Sequence, residues 1–150
     1  MKTTQTTVKY IEWISPEDMH NDSKDWLSQL NFIKDEYLFF EHLITSLSNE
    51  LSTLNDFLAD KELIDILNKS HKKVLQLIAA VVKHEKALQI MLDEINQPKD
   101  EKNYKETHRK LAVEVHEFLG EHYNLKTQFF DILTKMKKEE KLQHSLDKRH

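Results

Sequence analysis

Apolar residues recur along most of this chain in alternating steps of four and three, and that spacing restricts the fold more than any other feature. From Trp26 the run is Trp26, Leu30, Ile33, Tyr37, Phe40, Ile44, Leu47, Leu51 and Leu54. A second run is Leu63, Leu67, Ser70, Val74, Leu77, Val81, His84, Leu88, Met91 and Ile95, and a third is Tyr104, His108, Leu111, Val115, Phe118, His122, Leu125, Phe129, Ile132 and Met136. A half-buried strand would place apolar residues at every second position. A 3.5-residue period instead draws one stripe along a helix and favours shallow, left-handed packing of several such helices.

The chain's punctuation agrees. One glycine, Gly120, and two prolines, Pro16 and Pro98, are too few for the many turns of a sheet fold. Ser15-Pro16-Glu17-Asp18 reads as a helix start, with a serine cap and proline at the first helical position, and Asp22 or Ser23 can restart the helix. Asn55-Asp56 can cap a second helix, and Pro98 with Asp100 separates the second from a third. The expectation is an all-α fold: an antiparallel up-down-up bundle of three long helices over roughly 17–54, 57–97 and 100–143. It forms one domain over residues 16–150, preceded by an extension over residues 1–15.

The apolar stripes are broader than three helices require. Beside the seams lie Phe32, Phe39, Leu43 and Ile64, then Leu75, Ile78 and Val82 on the second helix, and Leu119, Tyr123, Phe130 and Leu133 on the third. These last seven are the candidate interface, because an apolar patch of several hundred Å² is normally covered. Two covers are expected from the sequence: the segment Val8-Lys9-Tyr10-Ile11-Glu12-Trp13-Ile14 acting as a strap, or a second copy of the chain. The remaining reading is that three thick helices simply need broad faces.

Composition narrows the function classes. Charged residues are 32% of the chain and the net charge is −4, with 4 Lys/Arg against 11 Asp/Glu in residues 1–60 and 10 against 8 in residues 103–150. An acidic first helix beside a mildly basic last one is favourable, and no face is basic enough for nucleic acid. Even the run Lys135-Met136-Lys137-Lys138-Glu139-Glu140-Lys141 reads as a solvated helix end. The longest apolar stretch, Val74 to Val82, is interrupted by Gln76 and too short to span a membrane, and residues 1–7 lack the apolar core of a secretory signal. Cysteine is absent, which fits a cytoplasmic protein and removes thiol chemistry.

No catalytic pattern emerges. The glycine count excludes phosphate loops and nucleophile elbows. Carboxylate-bridged metal bundles need two Glu-x-x-His pairs, whereas Glu17-Asp18-Met19-His20 is the single example. His84-Glu85 and His116-Glu117 begin like zinc-protease helices, but Leu88 and Gly120 stand where the second histidine belongs. His71-Lys72-Lys73 and His108-Arg109-Lys110 lack the small residues that follow a phosphorelay histidine.

What remains is a set of polar residues on the seams: Tyr37, Ser70, His84, His108 and His122. A register counted from turns near residues 56 and 99 puts His84 level with Val115, seven residues from both His108 and His122, roughly 10 Å along a helix. The three therefore read as separate core histidines rather than one metal site, and His122 falls near Asp35, Glu36 and Tyr37. The expected function is a non-enzymatic structural or interaction protein without a cofactor, forming a homo-oligomer or binding another protein. The alternative is a small-molecule or metal-binding bundle using His84, His122 and Glu36.

Overall fold

A computed structural model describes residues 14–50, 61–93 and 98–148, and within them the chain is three long helices with no strand. We name them α1 (Pro16–Glu50), α2 (Lys61–Asp93) and α3 (Pro98–Lys148), which together make an all-α, up-down-up three-helix bundle. Residue pairs across the helices follow that course. Asp22 meets His108 and Glu36 meets His122, both 86 residues apart, as α1 and α3 running in the same direction require. The separation from α1 to α2 falls from 65 residues at His20 and Glu85 to 30 at Glu41 and His71, as antiparallel helices require.

α1 starts where the cap predicts. The Asp18 amide donates to Ser15 Oγ at 3.1 Å and the Met19 amide to the Ser15 carbonyl at 3.0 Å, while Glu17 and Asp18 place negative charge on the positive pole of the helix. The helix then runs unbroken past Asp22 and Ser23, so neither restarts it. α3 opens on Pro98. The strap residues before Ile14, the Asn55-Asp56 cap, and Leu51, Leu54 and Ile95 of the seams lie outside the described residues. Among the described residues no helix is long and apolar enough to cross a membrane.

The chain divides into two compact units, each drawing on all three helices. The first comprises Met1–Ile33 and Val74–Phe118, the second Lys34–Lys73 and Leu119–His150. In the first unit Val74, Leu77, Val81, His84 and Leu88 of α2 are buried, as are Tyr104, His108, Leu111, Val115 and Phe118 of α3, all at the expected seam positions. On α1 the buried set is Met19, Ser23, Leu30 and Ile33, so the seam extends upstream of Trp26. Ile14 and Met19 close this core against Leu88 and Tyr104, with Met91 at the edge.

In the second unit the core is aromatic. Phe40 lies 4.9 Å from Phe129 and 5.7 Å from Phe130, centroid to centroid, with Tyr37, Leu67, Leu125 and Leu133 also buried. Gly120 lies within α3, and a Cβ placed there meets nothing within 4 Å. Gly120→Ala is therefore expected to stabilise the protein by about 0.5–1 kcal/mol through helix propensity alone. No change or a loss on chemical denaturation would contradict that.

Candidate functional site

The buried polar groups form two clusters, one in each unit. In the first unit His108, on the seam of α3, is held at both ring nitrogens. Its Nε2 lies 3.0 Å from Asp22 Oδ2 and its Nδ1 lies 2.9 Å from Nε2 of His84. A carboxylate only accepts, so neutral His108 carries its proton on Nε2 and donates it to Asp22. Its bare Nδ1 then accepts from His84 Nε2–H, leaving the His84 Nδ1 without a proton. Aromatic faces clamp the relay: Tyr104 stacks on His84 at 4.0 Å and 5°, and Trp26 stacks on His108 at 4.7 Å and 29°.

Burial dominates the electrostatics here. It lowers His84 from 6.5 to about 4, with His108 adding a smaller push in the same direction. His108 is also lowered by burial, against opposition from the hydrogen bond and charge of Asp22 and from the charge of Glu85. Tyr104 is raised by burial and then by Glu85. Beside the relay, His20 Nδ1 lies 2.6 Å from Glu85 Oε2. Among the described residues the buried Ser23 Oγ, Glu85 Oε1 and Tyr104 hydroxyl have no hydrogen-bond partner, which is costly unless water reaches them.

In the second unit His122 Nδ1 lies 3.0 Å from the Tyr37 hydroxyl and Nε2 lies 3.1 Å from Glu36 Oε1. Glu36 also pairs with Lys126, and the Ser70 hydroxyl bonds the Tyr37 oxygen. Burial pushes the Tyr37 hydroxyl up to about 12, with Ser70 opposing and the charges of Glu36 and Glu121 adding. His122 is lowered by burial, against Glu36, with Lys126 contributing to the lowering. Both partners can accept from a protonated ring, since a phenol oxygen donates or accepts as needed. His122 can thus take up a proton without breaking either contact.

The structure corrects the expected register in the first unit. His84 meets His108 rather than Val115, a shift of one heptad, so two histidines placed apart by sequence counting share a hydrogen bond. His122, Glu36 and Tyr37 are together, and Ser70 is half-buried beside them. For the metal reading, His84 lies in the first unit and His122 with Glu36 in the second, and among the described residues no three His, Asp or Glu side chains are grouped to hold an ion. Sequence reasoning missed Asp22, Trp26 as a ring partner, and the His20–Glu85 pair. The missed signal was Ser23, a polar residue in step with Met19, Trp26 and Leu30.

The candidate interface residues behave unequally. In the first unit Leu75 and Val82 are exposed and Ile78 is half-buried. In the second, Tyr123 is 70% exposed, Phe130 is partly open and Leu119 is half-buried. Leu133, expected at the surface, is 5% exposed and belongs to the core, while Ile132, expected on the seam, is only half-buried. An ideal helix drifts about 20° per heptad against a 3.5-residue seam, and a step of four from Phe129 to Leu133 corrects it.

Each unit also has a surface hollow. In the first, a groove of about 600 Å³ between α2 and α3 is walled by Ala80, Ala87, Ile90, Met91 and Leu111, with His84 and Tyr104 also lining it. In the second, a hollow of about 190 Å³ between α1 and α2 is lined by Tyr37, Phe40, Ile44, Ile64 and Leu67. Comparison with protein-family models, curated proteins and solved structures finds no match to this chain.

Proposed function

We propose that this chain is a non-enzymatic interaction protein that self-associates through exposed aromatic side chains of the second unit. The observation that carries the reading is large apolar surface beside a filled core. Phe39 is 56% and Tyr123 is 70% exposed, whereas Phe40 and Phe129 fill the interior. Phe39 stands three residues from Glu36 on α1, and Tyr123 and Phe130 stand three and four residues from Lys126 on α3, so aromatic residues flank the Glu36–Lys126 ion pair from both helices. Several large aromatic side chains exposed on one unit, rimmed by charge, are a common mark of an interaction site. The histidines support a structural interior, because both ring nitrogens of His108 and of His122 are engaged by the protein itself. A cytoplasmic location, suggested by the absence of cysteine, belongs to the same proposal.

Tyr123→Glu tests it, since so exposed a position costs the monomer little while a charge in an apolar interface is costly. The expected result is a folded helical monomer from a wild-type dimer or larger assembly, measured by light scattering at tens of micromolar. Monomeric wild-type protein at that concentration would remove the proposal's support.

The groove of the first unit favours a second reading, small-molecule binding. Its volume is in the range of ligand sites, its walls are mainly apolar, and the polar groups His84 and Tyr104 lie among them. If so, a compound identified by thermal shift should bind wild-type protein and not Ala87→Trp, which fills the groove.

A further inference from the structure

The two clusters differ in what a proton does to them. Protonated His122 has an acceptor at each nitrogen, Glu36 on one side and the Tyr37 oxygen on the other. The relay of the first unit offers no such arrangement for two protons, because His84 and His108 face each other, nitrogen to nitrogen, at 2.9 Å.

A first proton is accommodated. It binds the bare Nδ1 of His84, and the proton shared along the hydrogen bond passes from His84 Nε2 to His108 Nδ1. The result is a neutral His84 with the opposite tautomer and a cationic His108 donating to both neighbours. That cation lies against the Asp22 carboxylate and beneath the indole of Trp26, both of which favour it. The ring nitrogen of the pair still without a proton is then His84 Nε2, and a second proton there presents an N–H to the N–H of His108. The groups facing the pair do not relieve this. From α1 come Asp22 and Trp26 on His108, with His20 occupied by Glu85; from α2, Glu85, whose charge acts on His108 and Tyr104; from α3, Tyr104, stacked on His84 and raised in pKa. The charge acting on His84 is that of His108 itself. Lys83, at the groove beside His84, adds positive charge nearby.

We propose that the first unit is an acid-operated latch: the Asp22–His108–His84 relay holds its helices together with no or one added proton, and a second proton breaks the His84–His108 bond and releases α2 from α3 within that unit. The second unit loses some stability as its own burial-lowered histidine takes up a proton, but that ring keeps an acceptor at each nitrogen and the unit stays closed over the same range. This goes beyond self-association and does not depend on it.

The test uses Trp13→Phe protein, in which Trp26 is the remaining tryptophan, titrated from about pH 7 to about pH 3, past the value of about 4 to which burial lowers His84. The expected result has two stages. Imidazolium at His108 first quenches Trp26 emission with amide protection intact. At lower pH the amides of Val81, His84 and Leu88 then exchange faster by at least about tenfold beyond the intrinsic change, while those of Leu125 and Phe129 do not. His84→Gln, whose amide can donate to or accept from His108 but cannot be charged, is expected to keep the first stage and lose the second. An unchanged second stage in that variant overturns the proposal. If His84→Gln does not fold, ring ¹⁵N shifts of the Trp13→Phe protein decide. A switch of His84 tautomer followed by opening supports the latch, and two imidazolium rings in a unit that stays protected overturn it.

Discussion

Phe40→Ala is expected to destabilise the monomer by about 3–5 kcal/mol, and Phe39→Ala, one residue away, by no more than about 0.5 kcal/mol. Phe40 is 2% exposed, and its ring packs at 4.9 Å on Phe129, edge-on to Phe130 at 5.7 Å and edge-on to Tyr37 at 6.0 Å. It also lies 6.5 Å from the ring of His122. Removing it takes away a side chain's worth of apolar transfer energy and leaves a hole that long, continuous helices cannot easily collapse around. Phe39 adds little to the monomer because more than half of its surface already meets water. Urea denaturation of the two variants, read by circular dichroism, gives the comparison, and equal losses would mean that the aromatic core is wrongly placed.

Much of this fold is legible in the sequence because a helix exposes its pattern directly. From Val74 to Leu88, and from Tyr104 to Phe129, the buried residues follow the expected seam step for step. The upstream seam of α1 was obscured by chemistry rather than geometry: Ser23 is fully buried yet polar, so the apolar pattern in the sequence starts at Trp26.

Register was not legible, for a physical reason. Apolar seams of period seven look nearly the same after a slip of one heptad, so hydrophobic matching alone hardly distinguishes His84 opposite Val115 from His84 opposite His108. The polar seam residues do distinguish them. In the observed register His84 and His108 hydrogen-bond and Asp22 completes the relay. In the slipped one His84 would lose its partner, a costly state for a buried ring. The buried histidines thus specify alignment among registers that the apolar residues leave almost equal, the role best attested for polar groups in helical seams. His122 was easier to place because three polar neighbours, Asp35, Glu36 and Tyr37, made its level on α1 insensitive to a small error.

Leu133→Glu is expected to cost about 4 kcal/mol or more and to leave little folded second unit, in contrast to Tyr123→Glu on the same helix. By sequence the two residues look alike, each one position off the seam of α3 and each a candidate for an interface. The structure separates them by exposure, 5% for Leu133 against 70% for Tyr123. Helical drift explains the difference: Tyr123 follows a seam residue that is still aligned, whereas by Leu133 the stripe has rotated far enough to exchange Ile132 for its neighbour. A glutamate at 133 follows Phe129 and Leu125, buried on the preceding turns of α3, while Lys137 one turn on is exposed to solvent. Its carboxylate must either be buried unpaired, take up a proton or force the helix end away from the core. Circular dichroism and thermal melting at neutral pH read the outcome, and partial rescue at acid pH, where the new carboxyl is neutral, is expected to set this variant apart from a simple packing defect. A folded Leu133→Glu protein with wild-type stability would return this position to the surface and restore it to the apolar face that carries Tyr123.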